Sequence, residues 1–175
     1  NLRDSGMIIF RILEKLDYRI DFKNPNKCNL FVTNVLHCHP LNNRPSTSAE
    51  IRNCHNFLEQ ELEIVKPSII LLLGNDAKNW FGVKSTFGEG VGAFSSPLCY
   101  IRYRKIKYGK PENKTYKFTA LVCAQHPASA MRIGPNIVKK YEQILLINLK
   151  KAIKTMALGN SIGNKNTIEN KIHRE

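Results

Sequence analysis

The sequence predicts an α/β fold with helices on both faces of a mostly parallel central sheet, a three-layer α/β/α arrangement. Two observations predict it. Residues 30–36 and 69–73 form short, mostly apolar runs, which suit strands that are buried on both faces. Helical patterns alternate with these runs, and a helix is the usual connection between two parallel strands. The chain has 175 residues, enough for one domain with its own hydrophobic core.

The first elements are a helix, a strand and a turn. Ser5 to Leu16 carries apolar residues at helical spacing, which predicts an amphipathic helix. Leu30 to Leu36 follows as the first buried strand, and the segment from Pro40 to Pro45 has the composition of a turn. Thr47 and Glu50 have the spacing of a capping box, which marks the start of the next helix.

The middle of the chain contains the second apolar strand. The helix that begins after the capping box extends to about Val65, and Pro67 stops it. Ile69 to Leu73 is the second strand, and Gly74 follows it directly. A short helix is predicted from Asp76 to Phe81, and a flexible loop at residues 88–92.

A basic β-hairpin and a long helix complete the predicted domain. The hairpin strands lie at residues 98–107 and 115–123, with a turn at 108–114. Pro135 begins the last helix. After Met156 the sequence is rich in Gly, Asn, Ser and charge, which predicts disorder. We therefore expect a domain at residues 1–156 and a basic, disordered tail at 157–175.

Positive charge is concentrated in two segments of the chain. The formal net charge is +13; residues 100–117 hold seven basic residues and one acidic residue, and residues 150–175 hold six and two. Clustered positive charge binds a phosphate backbone through counterion release, which predicts a nucleic-acid partner. The alternative is a solvated hairpin followed by a solubilising tail. No apolar run is long enough to span a membrane.

The chain has five cysteines and no CxxC motif. An odd count without a recognisable signal peptide predicts a reducing compartment, cytoplasmic or, in a eukaryote, nuclear. Cys38 and Cys54 stand near His37, His39 and His55, so a zinc site is formally possible. By itself such a pair of cysteines is a weak metal signal.

Two strand ends carry polar residues that suit chemistry, because ligands of open α/β sheets bind where strands end. Thr33 and Asn34 interrupt the first apolar strand. The carboxamide of Asn34 offers an acceptor and donors in one plane, the complement of a pyrimidine edge with a carbonyl beside an N–H. The alternative is an asparagine that satisfies backbone groups at a strand end.

The second polar strand end is the segment His126 to Pro135, which follows the hairpin. A histidine before proline is held in an extended or turn conformation. Met131 and Ile133 flank Arg132, so apolar side chains can wedge into a base stack while the guanidinium meets phosphate. The alternative is a buried histidine with one hydrogen bond to the main chain.

Taken in order, these motifs resemble the iron–sulfur uracil-DNA glycosylases of families 4 and 5, over most of the chain. The residues that carry the resemblance are Val32–Pro40 with Cys38, Asn43–Pro45, Glu50, Cys54, Lys66–Pro67, Leu73–Gly74, His126–Ala128 and Met131–Arg132. The resemblance implies the uracil-DNA glycosylase fold with the hairpin as an insertion that is longer and more basic than is usual. It also implies base excision repair: hydrolysis of the N-glycosidic bond of a flipped-out deoxyuridine.

The resemblance also assigns roles to residues. Asn34 and His126 would be catalytic, Asn34 by reading uracil and His126 by donating a hydrogen bond to the departing base. The implied uracil site further includes Thr33 and Gly74. The implied DNA contacts are Arg44, Pro127, Ala128, Ser129, Met131 and Arg132, with Pro127 to Gly134 as a loop in the minor groove. Cys38 and Cys54 would be two of the four thiolate ligands of a 4Fe–4S cluster.

The family's motifs that precede this region have no counterpart in the chain, namely a CxxC pair and the motif that positions the attacking water. We therefore expect either a partial sequence or a degenerate homologue, and a chain that by itself has little or no activity. The implied partner is uracil-containing DNA, single- or double-stranded, bound by a monomer. Two alternatives are a non-catalytic nucleic-acid-binding homologue and a small-molecule hydrolase with a cysteine nucleophile, such as Cys123, beside His126.

Overall fold

A computed structural model of the protein describes residues 2–19, 23–24, 28–38, 40–44, 46–83, 99–108 and 115–172. In chain order its elements are α1 (Leu2–Glu14), a 3-10 turn (Leu41–Asn43), α2 (Ser48–Val65), β1 (Ile69–Leu73), α3 (Gly74–Trp80), β2 (Cys99–Tyr108), β3 (Thr115–Ala124), α4 (Pro127–Ile133) and α5 (Pro135–Ile172).

The described sheet has three strands in the order β1-β3-β2. β1 runs parallel to β3, and β2 runs antiparallel to it as the partner in a hairpin. The central strand β3 is the best buried, since residues 120–124 are all 0% exposed. The α/β class is therefore confirmed, but over the described residues the sheet is mixed rather than mostly parallel.

Helices cover both faces of this sheet, as the three-layer prediction requires. One face, with Ala120 and Val122, packs against α1, α4 and α5 in the main core. On the opposite face, Leu121 and Cys123 pack against Leu72. They also contact side chains of α3 and of the residues that follow α3. Because neighbouring side chains of a strand point to opposite faces, both helical layers bury the same central strand.

The predicted strand at residues 30–36 is wrong. No strand is assigned to this segment, and Phe31 and Val32 are 53% and 60% exposed. An apolar sequence becomes a strand only where a neighbouring strand satisfies its backbone groups. Among the described strands none pairs with this segment, and β1 pairs only with β3, which leaves the second edge of β1 without a described neighbour.

The other predicted elements lie close to the observed ones. α1 begins at Leu2, before the predicted start, and buries the predicted apolar face. The capping box of α2 is confirmed: the Glu50 backbone N–H donates to Thr47 Oγ1, and the Thr47 N–H donates to Glu50 Oε2 over 2.8 Å. The predicted loop at 88–92 and most of the hairpin turn lie outside the described residues.

The last helix is longer than the sequence predicts. The backbone of α5 is helical through Ile172, whereas the sequence predicts disorder from residue 157. Once the packed part of a helix has formed, each further residue adds a hydrogen bond without a new nucleation step. In the part of the chain that the structure describes, no helix is both long and apolar enough to cross a membrane.

Candidate functional site

The parallel strands β1 and β3 end side by side and bring Gly74 next to His126. Leu73 pairs with Ala124 in the register, so the residues that follow each strand leave the sheet at the same edge. Gly74 has a φ of +85°, and a Cβ placed on it would lie 3.4 Å from the Cβ of His126. A glycine is therefore favoured here both by its backbone conformation and by the close histidine.

The backbone around His126 fixes the orientation of its ring. His126 is extended (ψ 131°) before Pro127, which begins α4, and its Nδ1 accepts a hydrogen bond of 3.3 Å from the Ala128 N–H. A nitrogen that accepts from a backbone N–H carries no proton of its own. In the neutral ring the proton is therefore on Nε2, which makes Nε2 a hydrogen-bond donor.

Two further features keep the imidazole neutral and in place. Burial lowers the pKa of His126, and the positive charge of Arg132 lowers it further. This shift occurs although part of the residue is open to solvent. Before the histidine, the Gln125 carbonyl accepts a hydrogen bond of 2.8 Å from the buried hydroxyl of Tyr141 on α5. The peptide that leads into His126 is thus anchored to the core.

The segment after His126 is a short helix rather than the predicted loop. Pro127 is buried, and Met131 packs partly buried against the main core, while their contacts with DNA stay predictions. Ile133 is 41% exposed, and the exposed Arg132 contacts Ser129 Oγ over 3.5 Å. The exposed end of α4 therefore presents Ile133 and Arg132. The sequence alone did not show which of the two apolar residues, Met131 or Ile133, is the exposed one.

Asn34 presents its carboxamide to solvent. The residue is exposed, and among the described residues its side chain makes no hydrogen bond. The alternative in which Asn34 satisfies backbone groups is therefore not seen in this part of the chain. The described residues also show no hydrogen bond between the side chains of Asn34 and His126.

Glu61 of α2 attaches the Asn34 segment to the helix. Its carboxylate accepts a hydrogen bond of 2.6 Å from the Thr33 hydroxyl and lies 3.1 Å from Nε2 of His37. Burial tends to raise the pKa of Glu61, but the hydrogen bonds from Thr33 and His37 outweigh it and lower the pKa. Glu61 could not be singled out from the sequence, because it is one of several glutamates on a largely polar helix.

Cys38 and Cys54 are brought into contact, with 3.8 Å between their sulfur atoms. This distance is too long for a disulfide, and both thiols are free. Hydrogen bonds from the backbone N–H groups of Cys38 and His37 lower the pKa of Cys54, while the bond that Cys38 shares with Cys54 raises the pKa of Cys38. Of the two thiols, Cys54 is therefore the one whose surroundings favour the thiolate form.

A complete metal centre is not formed by the described residues. Within them, no group of three or more His, Cys, Asp or Glu side chains could hold a metal ion. The two soft sulfur donors suit an iron–sulfur cluster, which takes four thiolates. Cys38 and Cys54 are the two sulfur donors that the described residues bring together, and their role as cluster ligands stays a prediction.

Arg44 is held by α2 in this structure. Its guanidinium donates to both carboxylate oxygens of Glu50, over 3.0 and 2.6 Å. The hydrogen bond from Arg44, with those from Thr47, lowers the pKa of Glu50 to about 2. Arg44 therefore reinforces the capped start of α2, and its contact with DNA stays a prediction.

The hydrolase alternative finds little support. Cys123 is 0% exposed within the central strand, and burial raises the pKa of its thiol. A buried thiol of high pKa is a poor nucleophile. Lys78 of α3, also 0% exposed, lies close enough to affect the titration of this cysteine, which the sequence did not predict.

Comparison with known proteins shows the family of the chain. The model of the uracil DNA glycosylase superfamily matches residues 3–150. A type-4 uracil-DNA glycosylase of Archaeoglobus fulgidus is 41% identical over 114 residues, 65% of this chain and 52% of the relative. That of Sulfurisphaera tokodaii is 32% identical over 114 residues, 65% of this chain and 47% of the relative.

A type-5 uracil-DNA glycosylase of Pyrobaculum aerophilum is 37% identical over 65 residues, which cover 37% of this chain and 27% of the relative. The chain spans about half the length of the type-4 relatives of Sulfurisphaera tokodaii, Archaeoglobus fulgidus and Thermotoga maritima.

Proposed function

Because the chain belongs to the uracil DNA glycosylase superfamily, we propose that the protein removes uracil from DNA as the first step of base excision repair. The bond that breaks joins C1′ of the deoxyribose to N1 of uracil. Water supplies the hydroxyl at C1′, and uracil leaves with the bonding electrons before it takes up a proton. The rate of such a reaction depends on how well the site stabilises the departing anion.

The geometry of His126 is the observation that carries this proposal. Its Nδ1 accepts from the main chain, so its Nε2–H is the group able to donate to a uracil oxygen. A neutral donor fixed in advance stabilises charge that develops on the base and needs no reorganisation during the reaction. The lowered pKa of His126 keeps the imidazole in this neutral form at pH 7.

Asn34 is proposed to read the base. Its exposed carboxamide is available to pair with a carbonyl and an adjacent N–H of uracil. Cytosine presents an amine and a bare ring nitrogen on that edge, which leaves the carboxamide mismatched. Thr33, held by Glu61, positions the neighbouring backbone.

Contact with DNA is proposed for the exposed end of α4. Arg132 and Ser129 are placed to meet phosphates, and the exposed Ile133 is the apolar side chain able to enter the base stack. Extrusion of the uracil nucleotide into the site then requires that the helix end enters the duplex from the minor groove.

Cys38 and Cys54 are proposed as two ligands of a 4Fe–4S cluster. When bound, the cluster would stabilise the fold by joining the segment at residues 28–38 to α2 and to the further thiolates. The contact between the two sulfur atoms supports the proposal that both cysteines bind the same cluster. The remaining ligands, like the group that positions the attacking water, would lie outside the described residues.

The test is the release of free uracil from a labelled oligonucleotide by the longest native form of the protein. We expect chromatography to detect uracil from strands that contain deoxyuridine, and no free base from matched strands with thymidine or deoxycytidine. If the protein binds DNA and carries its cluster but releases no uracil, a non-catalytic nucleic-acid-binding homologue replaces this proposal.

A further inference from the structure

The β2–β3 hairpin has two chemically different faces. Arg102, Arg104 and Lys117 belong to one face, and each is engaged within the fold. Arg102 lies over the ring of Tyr100 at 5.7 Å, and Arg104 donates to the carbonyls of Phe81 and Gly82. Lys117 donates to the Lys66 carbonyl. The cations of this face therefore support the hairpin.

The opposite face carries cations and aromatic rings in alternation. Lys107 pairs with Tyr116 across the two strands, and Lys105 pairs with Phe118. Side chains of directly paired residues point to the same face of a sheet. The ring of Tyr103 on this face stacks on Phe118, with 5.7 Å between centroids and 6° between planes. We call these five residues the hairpin platform.

The hairpin platform is open to solvent. Tyr116 is 63% exposed, Phe118 45% and Tyr103 37%, and both lysines are exposed. Neither Lys105 nor Lys107 forms an ion pair with a described residue. Three aromatic rings that stay this exposed beside two lysines offer flat apolar surface to a ligand, which points to a binding role.

The two strands that carry the platform contain basic residues and no acidic ones. The helix next to it is tied to the platform through Tyr103, whose hydroxyl donates to Thr155 Oγ1 over 3.3 Å. Lys151 and Lys154 of that helix are exposed, so the positive surface extends beyond the hairpin.

We propose that the hairpin platform is a second DNA-binding surface, which binds a single strand by stacking bases on Tyr116 and Phe118 and by pairing phosphates with Lys105 and Lys107. Exposed aromatic rings between cations are the combination that binds single-stranded nucleic acid without regard to sequence. The all-positive charge complements a phosphate backbone, whereas the rings offer flat faces to unpaired bases.

The platform is separate from the strand ends that hold His126. Phe118 lies six residues before Ala124, the last residue of β3, which places the platform about 20 Å from that edge of the sheet. A stacked strand rises by about 3.4 Å per nucleotide, so a bound strand would need about six nucleotides to reach from one site to the other. The platform would thus hold DNA that flanks the base under inspection.

The experiment uses the longest native form of the protein and a fluorescent single strand of twenty thymidines. Because this strand contains no uracil, binding is tested whether or not the protein is a glycosylase. We expect Tyr116→Ala with Phe118→Ala to weaken binding at least about 5-fold, measured by fluorescence anisotropy. Lys105→Gln with Lys107→Gln should reduce the slope of log affinity against log salt by about 1.4.

Matched controls separate the platform from general effects. Phe10 on α1 is 40% exposed, so Phe10→Ala removes a comparable ring elsewhere. Lys15→Gln with Lys139→Gln removes two exposed lysines outside the hairpin. We expect these controls to change affinity less than 2-fold, and Tyr116→Ala alone covers the case in which the double aromatic variant fails to fold.

Two outcomes overturn the proposal. One is that the platform variants bind the single strand like their controls. The other is that the lysine variant weakens single- and double-stranded DNA equally while loss of the rings changes neither, which would make the hairpin a phosphate contact without stacking. Loss of binding in the platform variants supports the proposal even if the wild-type protein releases no uracil.

Discussion

Removal of the Glu61 carboxylate should release the segment that presents Asn34. Glu61→Ala deletes the acceptor of the Thr33 hydroxyl and the partner of His37, which lie at 2.6 and 3.1 Å. In a fully buried setting, each hydrogen bond to a charged group contributes about 1.5–3 kcal/mol. Solvent screens this pair, because the side chains of His37 and Glu61 are 29% and 28% exposed. We therefore expect a total of about 1–2 kcal/mol.

The loss of this free energy in Glu61→Ala should lower both the stability of the protein and its rate of uracil excision. If uracil binding must order the released segment, the apparent affinity falls in proportion to the fraction of molecules in the binding-competent state. A loss of about 1–2 kcal/mol corresponds to a decrease in kcat/KM of about 5- to 30-fold. We expect most of this decrease in KM, because Glu61 does not contact the substrate in this account.

Urea unfolding and uracil excision kinetics measure the two effects in the longest native protein. Glu59→Ala is the matched control. Glu59 also lies on α2, and its only ion-pair partner among the described residues is His55 of the same helix. Its loss should change stability by less than about 0.5 kcal/mol. Because the pKa of Glu61 is lowered, the contribution of Glu61 is present above pH 4.5 and is lost as the pH falls through the folded-state value. Equal effects of the two substitutions at pH 7 would refute the role of Glu61.

Three further predictions concern the strand ends and the cysteine pair. Because burial and Arg132 lower the pKa of His126 from 6.5, the fall of excision on acidification should have its midpoint below pH 6.5; a midpoint above pH 6.5 would contradict a neutral donor. Gly74→Ala places a side chain at φ +85° beside His126, so it should lower stability by about 1–2 kcal/mol in urea unfolding and also slow excision; wild-type stability and rate would contradict this. Cys54→Ser should abolish bound iron measured by absorbance and metal analysis, whereas Cys123→Ala should keep it; retention of iron in Cys54→Ser would exclude Cys54 as a ligand.

The sequence predicted best the features that depend on local physical chemistry. The capping box of α2 was predictable, because Thr47 and Glu50 satisfy each other's backbone groups whatever surrounds them. The central strand β3 was predictable because it carries its own antiparallel partner in β2. The closeness of Gly74 and His126, by contrast, was not predicted, because it depends on β1 and β3 being parallel neighbours.

The failures have non-local causes. Residues 30–36 have the composition of a strand, but pairing depends on a neighbour, and the described residues provide none. Glu61 was missed because its partners are fixed only when the segment at residues 28–38 lies against α2. The sequence also could not show the orientation of α4, which packs Met131 partly buried against the core and leaves Ile133 41% exposed.

The central claim is that Asn34 and His126 act together on a flipped uracil. The most direct test measures excision from a single-stranded uracil oligonucleotide by the longest native protein and by its Asn34→Ala and His126→Ala variants. Removal of one preorganised donor to a developing anion typically costs about 100- to 1,000-fold in kcat, so we expect at least that loss in His126→Ala and a loss of selectivity for uracil in Asn34→Ala. Wild-type excision by both variants, with DNA binding intact in all three proteins, would contradict the account.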